Sequence, residues 1–152
     1  MGQIRPVSAH CLFVIPSFQG WKLSEFLTDD SVGVIERWFR ELDDEVRAQI
    51  EARLLQWVNV EKFVEACTTA VEPDTAGKRF EELQDIRSIE VQHGGVVYRI
   101  LGSSISIWEF VMLIGDMDDR RRGKIGADVK KEARERLHSL QAHPGKRREY
   151  KI

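Results

Sequence analysis

Cysteine is scarce in this chain: Cys11 and Cys67 are the only two in 152 residues, too few for a disulfide framework. Neither has a second Cys or a His at metal-ligand spacing, so each reads as a small buried hydrophobe. No apolar run approaches the roughly 20 residues needed to cross a bilayer. Met1 to Pro6 lacks the basic start and long apolar stretch of a secretory signal. Cytoplasm is therefore the expected compartment, without membrane contact. A Gly-rich phosphate loop and a nucleophile elbow are both missing. Asp116, Asp118 and Asp119 lack the twelve-residue layout of a calcium loop. His10, His138 and His143 show no zinc spacing, so neither metal nor cofactor is expected.

What is present is an ordinary globular balance, 42% hydrophobic and 32% charged residues, which argues against a mainly disordered chain. One domain over residues 1–152 is expected, with 1–9 and 144–152 as flexible ends. The charge is unevenly spread. Asp116 to Ile152 holds 12 Lys/Arg against 7 Asp/Glu, a net of +5, while the remaining residues carry −7. A basic end on an acidic body suggests a local anionic contact.

Along the chain, Cys11-Leu12-Phe13-Val14-Ile15 is short, apolar and β-prone, and Pro16 ends it, so a first strand or a buried extended arm is expected there. Phe18, Trp21, Leu23, Phe26 and Leu27 follow without a period and should pack on the body. Val32, Ile35, Trp38 or Phe39, and Leu42 recur at helical spacing behind the capping candidates Thr28 to Ser31. Asp43 offers a second N-cap, and Val46, Ile50, Leu54 and Trp57 or Val58 form the next stripe. The short break predicts an antiparallel helix hairpin that needs a sheet to pack on. Val60 to Cys67 extends this region or makes a short separate helix, and Glu72 to Gly77 is loop by composition.

Beyond it the period becomes strand-like: Ile86–Gln92, Val96–Leu101 and Ile105–Ile114, with turns at His93-Gly94-Gly95 and Gly102-Ser103-Ser104. Gly115 to Gly123 reads as loop. A charged helix from Asp128 to Leu140 places Val129, Ala133, Leu137 and Leu140 on one apolar side. The fold class predicted is α+β: N-terminal strand, antiparallel helix hairpin, antiparallel β-meander, C-terminal helix.

That order resembles the RelE/ParE toxin superfamily, most of all its phage-derived HigB-like branch. The resemblance is carried by Phe80 to Val91 and His93 to Ile100, where Leu83, Ile86, Ile89, Gly94, Gly95, Tyr98, Arg99 and Ile100 fit the family's strand, Gly-rich turn and strand. Val111-Met112-Leu113-Ile114 resembles its last strand, and Arg120 to Lys124 lies where a Lys-rich loop leads into its final helix. The chain also departs from the pattern. The family's Glu-Leu-Arg reads Ser88-Ile89-Glu90, and the end of the last strand carries Ile114, Asp116, Asp118 and Asp119 instead of His, aromatic and lysine residues.

The resemblance implies the toxin component of a type II toxin-antitoxin system: an RNA-binding, metal-independent endoribonuclease (mRNA interferase) that cleaves mRNA on the ribosome by attack of a 2′-hydroxyl on the adjacent phosphate. A cognate antitoxin, a helix-turn-helix protein, is the partner it implies. Such a site needs cations at the phosphate and groups that move two protons. Arg87, Glu90 and Arg99 are the catalytic candidates. Tyr98 would stack on a base, or else pack in the core with Val96 and Ile100; Arg99 could instead pair with an acid on a neighbouring strand; and Arg120, Arg121, Arg122 and Lys124 would hold the RNA backbone. His93 could also move protons, though beside two glycines it reads first as a turn residue. Arg87 and Glu90, three positions apart on a strand, should face opposite ways. Asp116, Asp118 and Asp119 stand beside the arginine run and could neutralise it. The alternatives are a ParE-like inhibitor of DNA gyrase that cuts no RNA, and a degenerate phage-encoded interaction protein.

Overall fold

The computed structural model describes residues 17–71, 85–118 and 123–152. Strand β1 (Lys22–Phe26) leads through a short loop to helices α1 (Val34–Arg40), α2 (Asp44–Trp57) and α3 (Phe63–Cys67), followed by the two-residue β2 (Thr69–Ala70). Strands β3 (Arg87–His93), β4 (Val96–Ser106) and β5 (Glu109–Asp118) form the meander, before α4 (Ala127–Ala142) and β6 (Arg147–Glu149). The protein is α+β, with one mixed sheet in the order β2-β3-β4-β5-β1-β6. β1 runs parallel to β5, and β6 closes against β1 antiparallel.

Helical spacing decides what α1 and α2 bury. Val34, Ile35 and Phe39 of α1 and Val46, Ile50 and Leu54 of α2 are all buried, each such side chain contributing about 1.5–3 kcal/mol. A seven-residue helix is too short to persist alone, so α1 depends on this packing. Alternation along β1 sends Glu25 to α1, whose backbone it binds, and Phe26 to α4, whose Arg136 lies 5.9 Å over its ring. The sheet is thus covered on both faces. Phe63 of α3 seals one end, edge-on to Trp21 at 5.4 Å and to Phe110 at 5.6 Å. Ala133, Leu137 and Leu140 of α4 are buried as their spacing predicts.

The β3–β4 turn falls where the glycine pair placed it. Gly94 and Gly95 have φ of 61° and 80°, the two positive values a tight primed hairpin turn requires.

The first described strand is β1; Cys11–Ile15, Glu72–Gly77 and residues 1–9 lie outside the described residues. Three expectations need correction. The second hairpin turn sits at Ile107-Trp108, with Trp108 at φ 63°; Gly102-Ser103-Ser104 stays inside β4 and absorbs a bulge between Leu101 and Gly102. β5 continues through Gly115 to Asp118, because Asp116, Met117 and Asp118 pair in register with Arg99, Tyr98 and Val97. Finally, residues 144–152 are not a loose end. β6 pairs with β1, and Tyr150 is buried edge-on against Phe39 at 5.8 Å.

Candidate functional site

The structure gathers some of the candidate residues and separates others. Strand pairing sets Glu90 opposite Arg99, and Arg99 opposite Asp116, so a carboxylate, a guanidinium and a second carboxylate form one row across β3, β4 and β5. Arg99 donates from Nε to Glu90 Oε1 at 2.9 Å and from Nη1 to Asp118 Oδ2 at 3.4 Å. Asp118 also accepts from the Gly123 amide at 3.1 Å, which ties the start of the last connection to the row. Arg99 is only 3% exposed. Its charge is paired with two acids, the enclosed Asp118 and the partly exposed Glu90.

Arg87 stands apart. It lies on the opposite face of β3 from Glu90, as alternation requires, and donates to Thr68 Oγ1 and, at 3.2 Å, to the Thr68 carbonyl at the end of α3. Asp85 approaches it at 3.8 Å. Tyr98 is buried in the core beside Ile89 and Ile100, so its ring does not offer a stacking surface. His93 turns toward Glu45 of α2, 3.8 Å away. Lys124 lines an open hollow of about 200 Å³ with Asp116, Asp118 and Asp128. Arg120, Arg121 and Arg122 lie outside the described residues.

Asp116 is the residue in this row that motif reading missed. Burial pushes its carboxyl above the ordinary aspartate range; the Met117 amide and Arg99 oppose this, while Asp118 and Asp128 add to it. The folded state therefore holds a proton here more readily than the unfolded chain does. Stability contributed at this position rises as pH falls through the raised value and is lost above it. We expect Asp116→Asn to raise the urea midpoint at pH 7 and to change it little below about pH 4. Chemical denaturation of both proteins at the two pH values checks this; an unchanged midpoint at pH 7 would contradict it.

Two further polar clusters stand on residues that carry no motif. Ser24, fully buried, donates to Glu109 Oε2 at 2.7 Å, and Arg147 donates to the same oxygen at 2.9 Å. Burial pushes the Glu109 carboxyl up, but the Ser24 and Arg147 hydrogen bonds outweigh it and hold it below its ordinary value. The Ser24 hydroxyl is enclosed and the carboxylate that accepts from it is also held by Arg147, so this cluster joins β1, β5 and β6 rather than presenting a nucleophile.

The second cluster is basic. Arg37 and Arg40, one turn apart on α1, share a hollow of about 210 Å³ with Ser31, Glu36 and Arg148 of β6. Sequence reading could pair Arg37 with Arg40 by helical spacing, but Arg148 arrives only through the β1–β6 pairing. Burial raises the Cys67 thiol above its ordinary value, which makes it a poor nucleophile. Among the described residues no group of three or more His, Cys, Asp or Glu could hold a metal ion, and no helix is long and apolar enough to cross a membrane. Comparison with protein-family models, with curated proteins and with solved structures finds no match.

Proposed function

We propose that this chain is a non-nuclease interaction protein on a RelE/HigB-like frame, acting by docking on a partner rather than by cutting RNA. The observation that carries this reading is the closure of Arg99. A phosphate can be held only by a guanidinium that reaches it, and Arg99 is buried with Glu90 and Asp118 on its nitrogens. With Arg87 on the other face and Tyr98 in the core, the three candidates for phosphate and base are dispersed. The partner under this reading is a cognate helix-turn-helix antitoxin, or a target enzyme bound in the manner of the ParE-type inhibitors.

A second reading keeps the ribosome-associated mRNA interferase, and one feature favours it. Asp116 is a carboxyl that burial pushes above its ordinary value, lining one hollow with Lys124 and two positions from Asp118, after which the Arg120 to Arg122 run follows in sequence. A proton donor next to cations is what 2′-hydroxyl attack on a phosphate requires.

Induced expression with mapping of transcript 5′ ends separates the two. We expect transcripts to remain intact whether or not growth stops. Cuts within translated messages that disappear in Asp116→Asn or in Arg120→Ala with Arg121→Ala would replace the docking reading with the nuclease one. Should growth arrest with intact transcripts, a supercoiling assay tests the gyrase-directed form.

A further inference from the structure

We infer that the hollow between α1 and β6 is a binding site for a phosphate group, held by Arg37, Arg40 and Arg148. Three arginines from two separate elements line one concavity of about 210 Å³, together with Ser31 and Glu36. Their electrostatic situation differs from that of the buried arginines. The Arg37 side chain has no hydrogen bond or ion pair among the described residues. Arg40 is 74% exposed and meets Glu36 only at 3.8 Å. Glu36 is itself committed to Arg47 at 2.9 Å, so it does little to offset the pair. Arg148 spends its Nε on the buried Glu25 at 3.1 Å, which fixes the guanidinium's position, while its two terminal nitrogens carry no hydrogen bond among the described residues.

Like charges lining one hollow repel one another and are relieved by an anion. A phosphate fits better than a carboxylate, because several oxygens can each take a planar, charge-assisted bond from a different arginine. The amides at the start of α1 are not part of this site, since Glu25 occupies them. The body of the protein is otherwise acidic, so the hollow is a local exception to the charge around it. This inference stands on these residues alone and goes beyond the docking role proposed above.

The phosphate could belong to a nucleic-acid backbone or to a free phosphate or small phosphate ester. Titrating the full-length chain with sodium phosphate, while following the arginine Nε–Hε resonances, tests for the site. Sodium chloride at equal ionic strength serves as the control. We expect saturable shifts with phosphate alone, and a loss of affinity of about tenfold or more in Arg37→Gln with Arg40→Gln, since each arginine removed forfeits a charge-assisted bond. Both side chains are exposed, so the thermal midpoint of that variant should stay close to the parent's. Displacement of phosphate by a short single-stranded RNA assigns the site to a backbone; no displacement assigns it to a small phosphate. Absence of saturable shifts with phosphate and with RNA alike, or undiminished affinity in the double variant, would overturn the inference. Neither result would touch the docking proposal, which is read from transcripts and growth.

Discussion

Replacing Glu25 by alanine should cost about 1–3 kcal/mol of folding stability for each enclosed amide it leaves unsatisfied, while Arg148, half exposed, regains water. Glu25 is 1% exposed in the middle of β1. One carboxylate oxygen accepts from the Ile35 and Glu36 amides at 2.9 and 3.0 Å, and the other accepts from Arg148 at 3.1 Å. A single side chain therefore satisfies the first turn of α1 and holds β6 from the opposite side. Its removal leaves two amides without their acceptor and an arginine without its acid. Glu25→Gln keeps an acceptor for the amides while losing the charge, so it should lose less than alanine. Gly33 reports on the same arrangement: a methyl group there would collide with the Glu25 carboxylate, and Gly33→Ala should be destabilising for that steric reason. Urea unfolding of the three variants measures all of this. A loss below about 1 kcal/mol for Glu25→Ala would mean that the carboxylate is dispensable.

The second large effect belongs to Arg99. Its two acids differ in exposure: the Asp118 side chain is 5% exposed and that of Glu90 45%. Arg99→Ala takes the guanidinium away from the enclosed Asp118, which keeps the Gly123 amide, and should lose about 3–5 kcal/mol. Glu90→Ala removes a partly solvated partner and should cost about 0–1 kcal/mol. An arginine kept for chemistry behaves in the opposite way, since its removal spares stability and abolishes turnover. Comparing denaturation midpoints of the two variants thus tests the structural assignment of Arg99 directly. Equal and small losses would reopen the case for a phosphate-facing guanidinium.

Where burial follows the local pattern, the elements were readable from the residues. The stripes of α1, α2 and α4 repeat at helical spacing, and the Gly94-Gly95 pair has few alternatives to a hairpin turn. β1 and β6 escaped notice for a shared reason. Lys22, Ser24 and Glu25, like Arg147, Arg148 and Glu149, are residues that propensity places at the surface. They lie in the sheet because their partners come from far along the chain: Glu109 for Ser24, 85 positions away, and Arg148 for Glu25, 123 positions away. No local window contains such a pairing. The β4–β5 turn failed differently. Glycine and serine marked the wrong end of a long strand, while a tryptophan with positive φ took the corner.

The candidate site shows the same division. Alternation alone predicted that Arg87 and Glu90 would part, and they do. That Arg99 would be enclosed by acids follows from a three-strand register that individual residues do not encode. Asp116 drew attention only as a possible counter-charge, because its displaced titration arises from burial, and burial is a property of the finished sheet.

The β1–β6 pairing also has a bearing on synthesis. At ribosomal rates of about 5–20 residues per second, the 123 positions between Glu25 and Arg148 correspond to roughly 6–25 seconds of elongation. Until Asp118 is added β1 lacks its full parallel neighbour, and throughout the interval it lacks its outer edge strand and Glu25 waits without its arginine. The nascent chain must therefore keep an unfinished, charge-bearing strand out of the wrong partnerships. Slowing translation upstream of codon 147 would lengthen that exposure, and trigger-type chaperones that shield strand edges would be most needed there.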